Sequence, residues 1–144
     1  MDDRERLAAE WECEKLVRSF ALLNDARDDA ALADLFTPDG LFQRGADPGA
    51  AVRGRVALRA YFAGRPPDRF TRHFCANTVI TCEGFEAARG VTYVLLYTGD
   101  GPASGSAPRK AAPQQLVGIY RDRFHRLAEG WRIAERTVAI DLAT

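Results

Sequence analysis

"RFTRHFCANTVITCEG" (residues 69–84) is the stretch on which the fold turns. Polar and apolar residues alternate, aromatic and β-branched side chains dominate, and a glycine closes it. This is the pattern of a half-buried strand over residues 70–82. Three further runs share its character: 86–98, 114–127 and 130–141. "CEGFE" and "LAEGW" are tight glycine-containing connections, so neighbouring runs are expected to pair as antiparallel hairpins. Strands of this length twist strongly, and a strongly twisted sheet curls. Between the second and third runs, "GDGPASGSAPRKAAP" (99–113) is too rich in Gly, Pro, Ser and Ala to bury itself. It reads as a surface loop, with a hairpin excursion favoured over a lid.

Upstream of the strands the period changes to that of helices. Residues 4–23 place Cys13, Leu16, Phe20 and Leu23 on one stripe, with Leu7, Trp11 and Val17 beside it. Asp28 is suited to cap a second helix with the apolar face Leu32, Leu35 and Phe36, and "TPDG" (37–40) reads as the turn that stops it. "GLFQRG" is a brief strand. Gly54 precedes "RVALRAYFAG", a third helix ended by Gly64 and the Pro66, Pro67 pair. Helices first and long antiparallel strands afterwards give an α+β class, one domain over 1–144, with the helices on one side of a curled sheet and a cavity between.

Composition narrows the function. With 20 basic and 20 acidic residues interspersed, the chain offers no basic stripe for nucleic acid or an anionic bilayer. There is no apolar run of membrane-spanning length, and the charged N-terminus "MDDRERLAAEWECEK" does not resemble a signal peptide, so a cytoplasmic protein is expected. Cys13, Cys75 and Cys82 are odd in number and lack paired ligand spacing; they read as buried thiols. No phosphate loop, HExxH or GxSxG is present, and no metal or cofactor is expected.

The chemistry then rests on few residues. Of the two histidines, His125 lies near a hairpin and is expected to be exposed. His73 shares a face with Cys75, Asn77 and Val79 if strict alternation holds. A histidine becomes a general base when a carboxylate fixes its tautomer, and Asp25, at the end of the first helix, is the candidate partner. Arg136 falls on the apolar face of Ala134, Val138 and Ile140, where it needs an anion: a substrate oxygen, or a carboxylate in a structural salt bridge. Tyr61, Tyr93, Tyr97 and Tyr120 are core aromatics first and hydroxyl donors second.

The segments "FALLNDARDDAALADLFTPDG", "VRGRVALRAYF", "TRHFCANTVI" and "VGIYRDRFHRLAEGWRIAERTV" resemble the SnoaL-like branch of the nuclear transport factor 2-like superfamily over nearly the whole chain. The resemblance implies a cone-shaped α+β barrel with a deep apolar pocket, assembled as a homodimer or homotrimer. It carries the catalytic pair of proton-removing relatives onto Asp25 and His73. Phe20, Phe42, Tyr61, Tyr93, Tyr120 and Arg136 are the expected substrate contacts. Phe20 stands where a halide-eliminating relative has lysine, which weighs against dehalogenation, and Asn24 stands where a dehydrating relative has tyrosine. The leading expectation is a cofactor-independent lyase or isomerase, of dehydratase or cyclase type, acting on a small apolar or aromatic oxygenated molecule. A non-catalytic subunit or binding module, as in ring-hydroxylating dioxygenases, is the alternative. An epoxide-opening enzyme is the third reading; it needs another inward acid, Asp122 or Glu135.

Overall fold

Helix α1 (Asp3–Ala26) opens the chain in a computed structural model that describes residues 1–99, 101, 105 and 107–144. A reciprocal capping box starts it: the Asp2 side chain accepts from the Glu5 N–H while the Glu5 side chain accepts from the Asp2 N–H. The stripe Cys13, Leu16, Val17 and Phe20 is buried as its spacing requires. Leu7 and Trp11, expected beside the stripe, are exposed instead; the Arg18 guanidinium lies 5.4 Å over the Trp11 ring. Asp28 caps α2 (Asp29–Asp34) by accepting from the Ala31 N–H, and Leu32 and Phe36 are fully buried.

The turn expected at 37–40 is a correction. Thr37–Gly40 form the first half of strand β1 (Phe36–Arg44). Buried Phe36 pairs with Ile133, and the register shifts before Leu41 pairs with Glu135. The irregularity absorbs Pro38, which has no N–H to contribute to a ladder. Strand β2 (Val52–Arg53) borders β1. Gly54, at φ 88°, adopts the left-handed conformation that starts α3 (Arg55–Ala63), whose Leu58 and Phe62 are buried.

The long strands are β3 (Phe70–Cys82), β4 (Ala87–Gly99), β5 (Leu116–Leu127) and β6 (Gly130–Ala143), each antiparallel to the next along the chain. Sheet order is β2-β1-β6-β5-β4-β3, with β1 parallel to β6. The curved sheet is not closed, and among the described residues the three helices pack on it. Phe20 stands at the centre of the resulting core, with ring centroids about 6 Å from Phe36, Phe42, Phe62 and Tyr120. Such aromatic contacts add to the burial of their large apolar surfaces.

Strict alternation fails around both His73 and Arg136, each time at a bulge. Asn77 has φ 54°, and the β3–β4 register shifts between Ala76 and Val79. Asparagine tolerates this left-handed backbone better than most residues, and the extra residue switches the inward parity. His73 and Cys75 face the helices before the bulge; Ile80 and Cys82 do so after it, and Val79 is 64% exposed rather than on the face of His73. A second shift lies opposite Arg123/Phe124, so buried Ile133 is followed three residues later by buried Arg136, and Ala134 is not on its face.

Cys13 is fully buried, while Cys75 and Cys82 are half-buried. His125 is exposed. On the outer face of the sheet Phe74, Val79 and Tyr93 stand exposed, with Phe74 edge-on to Tyr97. No helix among the described residues is long and apolar enough to cross a membrane. Part of the 99–113 segment, including most of its proposed lid or excursion tip, lies outside the described residues.

Candidate active site

Asp25 sits in the last turn of α1, where a negative charge opposes the helix dipole. Three donors from β3 compensate it. The Thr71 hydroxyl donates to Oδ1 at 2.8 Å, the His73 backbone N–H donates to Oδ2 at 2.9 Å, and the His73 ring Nδ1 lies 2.5 Å from Oδ1. Burial alone would push the Asp25 carboxyl up, but the ring, backbone and hydroxyl donors outweigh it and hold the group below its ordinary value. The carboxylate is therefore ionised and can only accept, which puts a proton on Nδ1. With side chains 11% and 9% exposed, His73 and Asp25 form a sheltered pair. Nε2, the other ring nitrogen, has no hydrogen-bond partner among the described residues, so its lone pair is available where the ring meets the cavity.

That cavity has a volume of about 140 Å³. A cavity of roughly 150 Å³ is enough to hold benzene. Its apolar walls include Phe20, Phe42, Phe62, Val94 and Val138, with Tyr61 and Tyr120 among them. Gly118 lines one side: a Cβ there would lie 2.5 Å from the Ala139 carbonyl oxygen, so a bare backbone keeps that wall flat and the strands close. Tyr120 is buried, and burial pushes its phenol up despite the opposing Arg136 charge, so at neutral pH it remains a hydrogen-bond donor. Its hydroxyl has no partner among the described residues.

Two expected contacts are not there. Tyr93 is on the outer face of β4, 49% exposed, because the inward positions of that strand are Ala88, Gly90, Thr92 and Val94. Arg136 points inward but stops behind the wall: Nε and Nη2 donate to the two oxygens of Asp122, both at 2.7 Å. Both side chains of this pair are fully buried. The guanidinium carbon is 4.4 Å from the Phe20 ring centroid and 4.1 Å from that of Tyr120, so Arg136 braces two cavity walls without lining the cavity. Asp122 is thereby committed, and Glu135 lies in a groove on the outer face beside Arg121 and Arg123.

Residues 5–137 match the family described as the SnoaL-like domain. The chain belongs to the SnoaL-like family. Among solved structures, it is similar to the hexachlorocyclohexane dehydrochlorinase LinA-type3 from Novosphingobium barchaimii LL02, at TM-score 0.82 and 14% identity over 99% of this chain and 93% of that one. An NTF2-like protein with a cystatin-like fold from Novosphingobium aromaticivorans aligns at TM-score 0.73 and 23% identity, over 93% and 82% of the two chains. Rv3472 from Mycobacterium tuberculosis, a protein of unknown function, aligns at TM-score 0.71 and 26% identity, over 90% and 69%. No curated protein matches the sequence. This member of the SnoaL-like family thus has the cone fold of the nuclear transport factor 2-like superfamily.

Sequence reasoning missed two groups of this SnoaL-like site. Thr71 is the third donor to Asp25, and its place two residues before His73 on a strand was the available signal. The arginines lining the cavity, Arg27, Arg44, Arg65 and Arg69, come from three separate segments, the end of α1, the end of β1 and the α3–β3 connection, and gave none.

Proposed function

We propose that this protein is a cofactor-independent lyase or isomerase that removes a proton from a small, largely apolar, oxygenated organic molecule. His73 Nε2 takes the proton, and Asp25 holds the ring and stabilises the imidazolium that results. The Tyr120 hydroxyl donates to the oxygen on which negative charge develops. Apolar walls exclude water from these groups. One observation carries the reading: a histidine whose Nδ1 is committed to an ionised carboxylate presents its ring to an apolar cavity. The structural likeness to a dehydrochlorinase is compatible with proton removal, but buried Phe20 offers no cation to a departing halide, so halide loss is not proposed.

The open cavity favours this reading over a purely structural subunit. Nothing favours epoxide opening, because Asp122 is paired with Arg136 and Glu135 lies outside. The exposed Phe74, Val79 and Tyr93 suit cover by a second copy of the chain, which belongs to the same proposal.

Native mass spectrometry tests both parts. A bound small organic molecule and a dimer or trimer mass are expected. Turnover of compounds of the bound class should fall by about 10²- to 10⁴-fold in His73→Ala while binding persists. Turnover undiminished by the substitution contradicts the catalytic proposal, and a monomer at working concentration contradicts the assembly.

A further inference from the structure

Arg27, Arg44, Arg65 and Arg69 line the cavity, and among the described residues no Asp or Glu does. The whole chain is balanced in charge, so this one-signed lining is a local property. Two of the four are accounted for by the fold. Arg27 donates to the backbone carbonyls of Arg65 and Pro66, each at 3.0 Å, and ties the end of α1 to the segment before β3. Arg65 is paired with Asp29 at 2.8 Å and also donates to Asn24. Arg44, at the end of β1, and half-buried Arg69, just before β3, differ: among the described residues neither side chain makes an ion pair or a hydrogen bond.

The placement of these two is informative. Arg69, Thr71 and His73 all reach the cavity wall in period-two succession. Four residues of extended chain separate Arg69 from His73, about 13 Å between Cα atoms. Arg44 pairs in register with Val138, itself a wall residue, and so reaches the same cavity from β1. Both arginines keep access to water, and an incoming anion displaces no protein partner from either among the described residues. The planar guanidinium presents a fork suited to two oxygens of one group.

We propose that the substrate carries an oxyanion, a carboxylate or a phosphate ester, held at the cavity mouth by Arg44 and Arg69. This rests on the reading of the cavity as the substrate site and narrows its substrate class. The apolar body of the molecule lies between Phe42, Tyr61 and Tyr120, and the C–H to be deprotonated points to His73, at the end away from the anion. The two cations also draw anionic molecules toward the opening.

The test uses matched probe pairs with the intact protein: phenyl, cyclohexyl and linear alkyl carboxylates against their primary amides, and the corresponding phosphate monoesters against the alcohols. Affinity is read by calorimetry at low and high salt. An oxyanion is expected to bind about tenfold more tightly than its neutral match, with salt weakening only the charged member. The carboxylate and phosphate arms identify which oxyanion is preferred. In the Arg44→Gln, Arg69→Gln double variant the preference should disappear while the neutral probes bind as before and thermal stability is unchanged, since neither arginine has a partner to lose among the described residues. No preference in any pair, no binding by any probe at millimolar concentration, or a preference that survives the double variant overturns the proposal. His73→Ala separates it from the catalytic reading: the oxyanion preference should persist there, whereas loss of turnover on that substitution concerns proton abstraction alone.

Discussion

Asp122→Ala is expected to lower the stability of the protein by about 3–5 kcal/mol, the usual cost of stranding one charge of a buried pair. For a chain of this size that corresponds to a fall in Tm on the order of 10 °C. The reason lies in Arg136. Its side chain is fully buried, two of its nitrogens are spent on Asp122, and the third, Nη1, has no partner among the described residues even with Asp122 in place. Burial works against the guanidinium charge, and the adjacent Asp122 carboxylate more than compensates. Without that carboxylate the buried charge has no counter-ion among the described residues. Adding Arg136→Met to Asp122→Ala should recover most of the loss, because an apolar side chain of similar volume needs no partner. Denaturant midpoints check both; a single variant as stable as the parent would show the pair to be dispensable. The effect should reach the site as well, since Arg136 is stacked on Phe20 and Tyr120, two walls of the cavity.

The second large effect concerns rate. His73→Ala should reduce turnover by about 10²- to 10⁴-fold, the typical contribution of a positioned general base. Asp25→Asn should approach the same loss with the imidazole still present, because a neutral amide neither fixes the Nδ1–H tautomer by charge nor stabilises the imidazolium. Single-turnover kinetics on a substrate of the bound class measures both. A loss confined to KM would assign the pair to binding instead. The pH dependence follows from the direction of the Asp25 shift. Its folded value lies below the ordinary one, so its hydrogen bonds contribute stability that is present above the unfolded value and lost as pH falls through the folded one. Asp25→Asn should remove that part of the acid sensitivity.

Much of this was legible in the sequence, and the failures have specific physical causes. Helices, strands and the capping role of Asp28 follow from periodicity and local hydrogen bonding, which a single chain displays. The bulges at Asn77 and near Ala134 do not, because one extra residue inverts parity without altering composition. That inversion is why Val79 and Ala134 were placed on the wrong faces. Tyr93 was misplaced for another reason: both faces of β4 carry apolar residues, and only the packing of α1 against the sheet decides which is inside. For Arg136 the residue-level choice between substrate and salt bridge was open, and it was settled by cross-strand register, which sets Asp122 directly opposite Arg136. The juxtaposition of Asp25 and His73 joins residues 48 positions apart. Spacing alone could not bring them together; the resemblance of their flanking segments to a known family did.

The most direct test of the central claim needs no substrate. The chain has only two histidines, so long-range ¹H–¹⁵N correlation spectra of its imidazoles can be resolved and assigned with a His125→Gln variant. The neutral His73 ring is expected as the Nδ1–H tautomer with a bare Nε2, and that bias should be lost in Asp25→Asn. A His73 ring found with its proton on Nε2 in the intact protein would leave the cavity facing a donor instead of a base and would contradict the account.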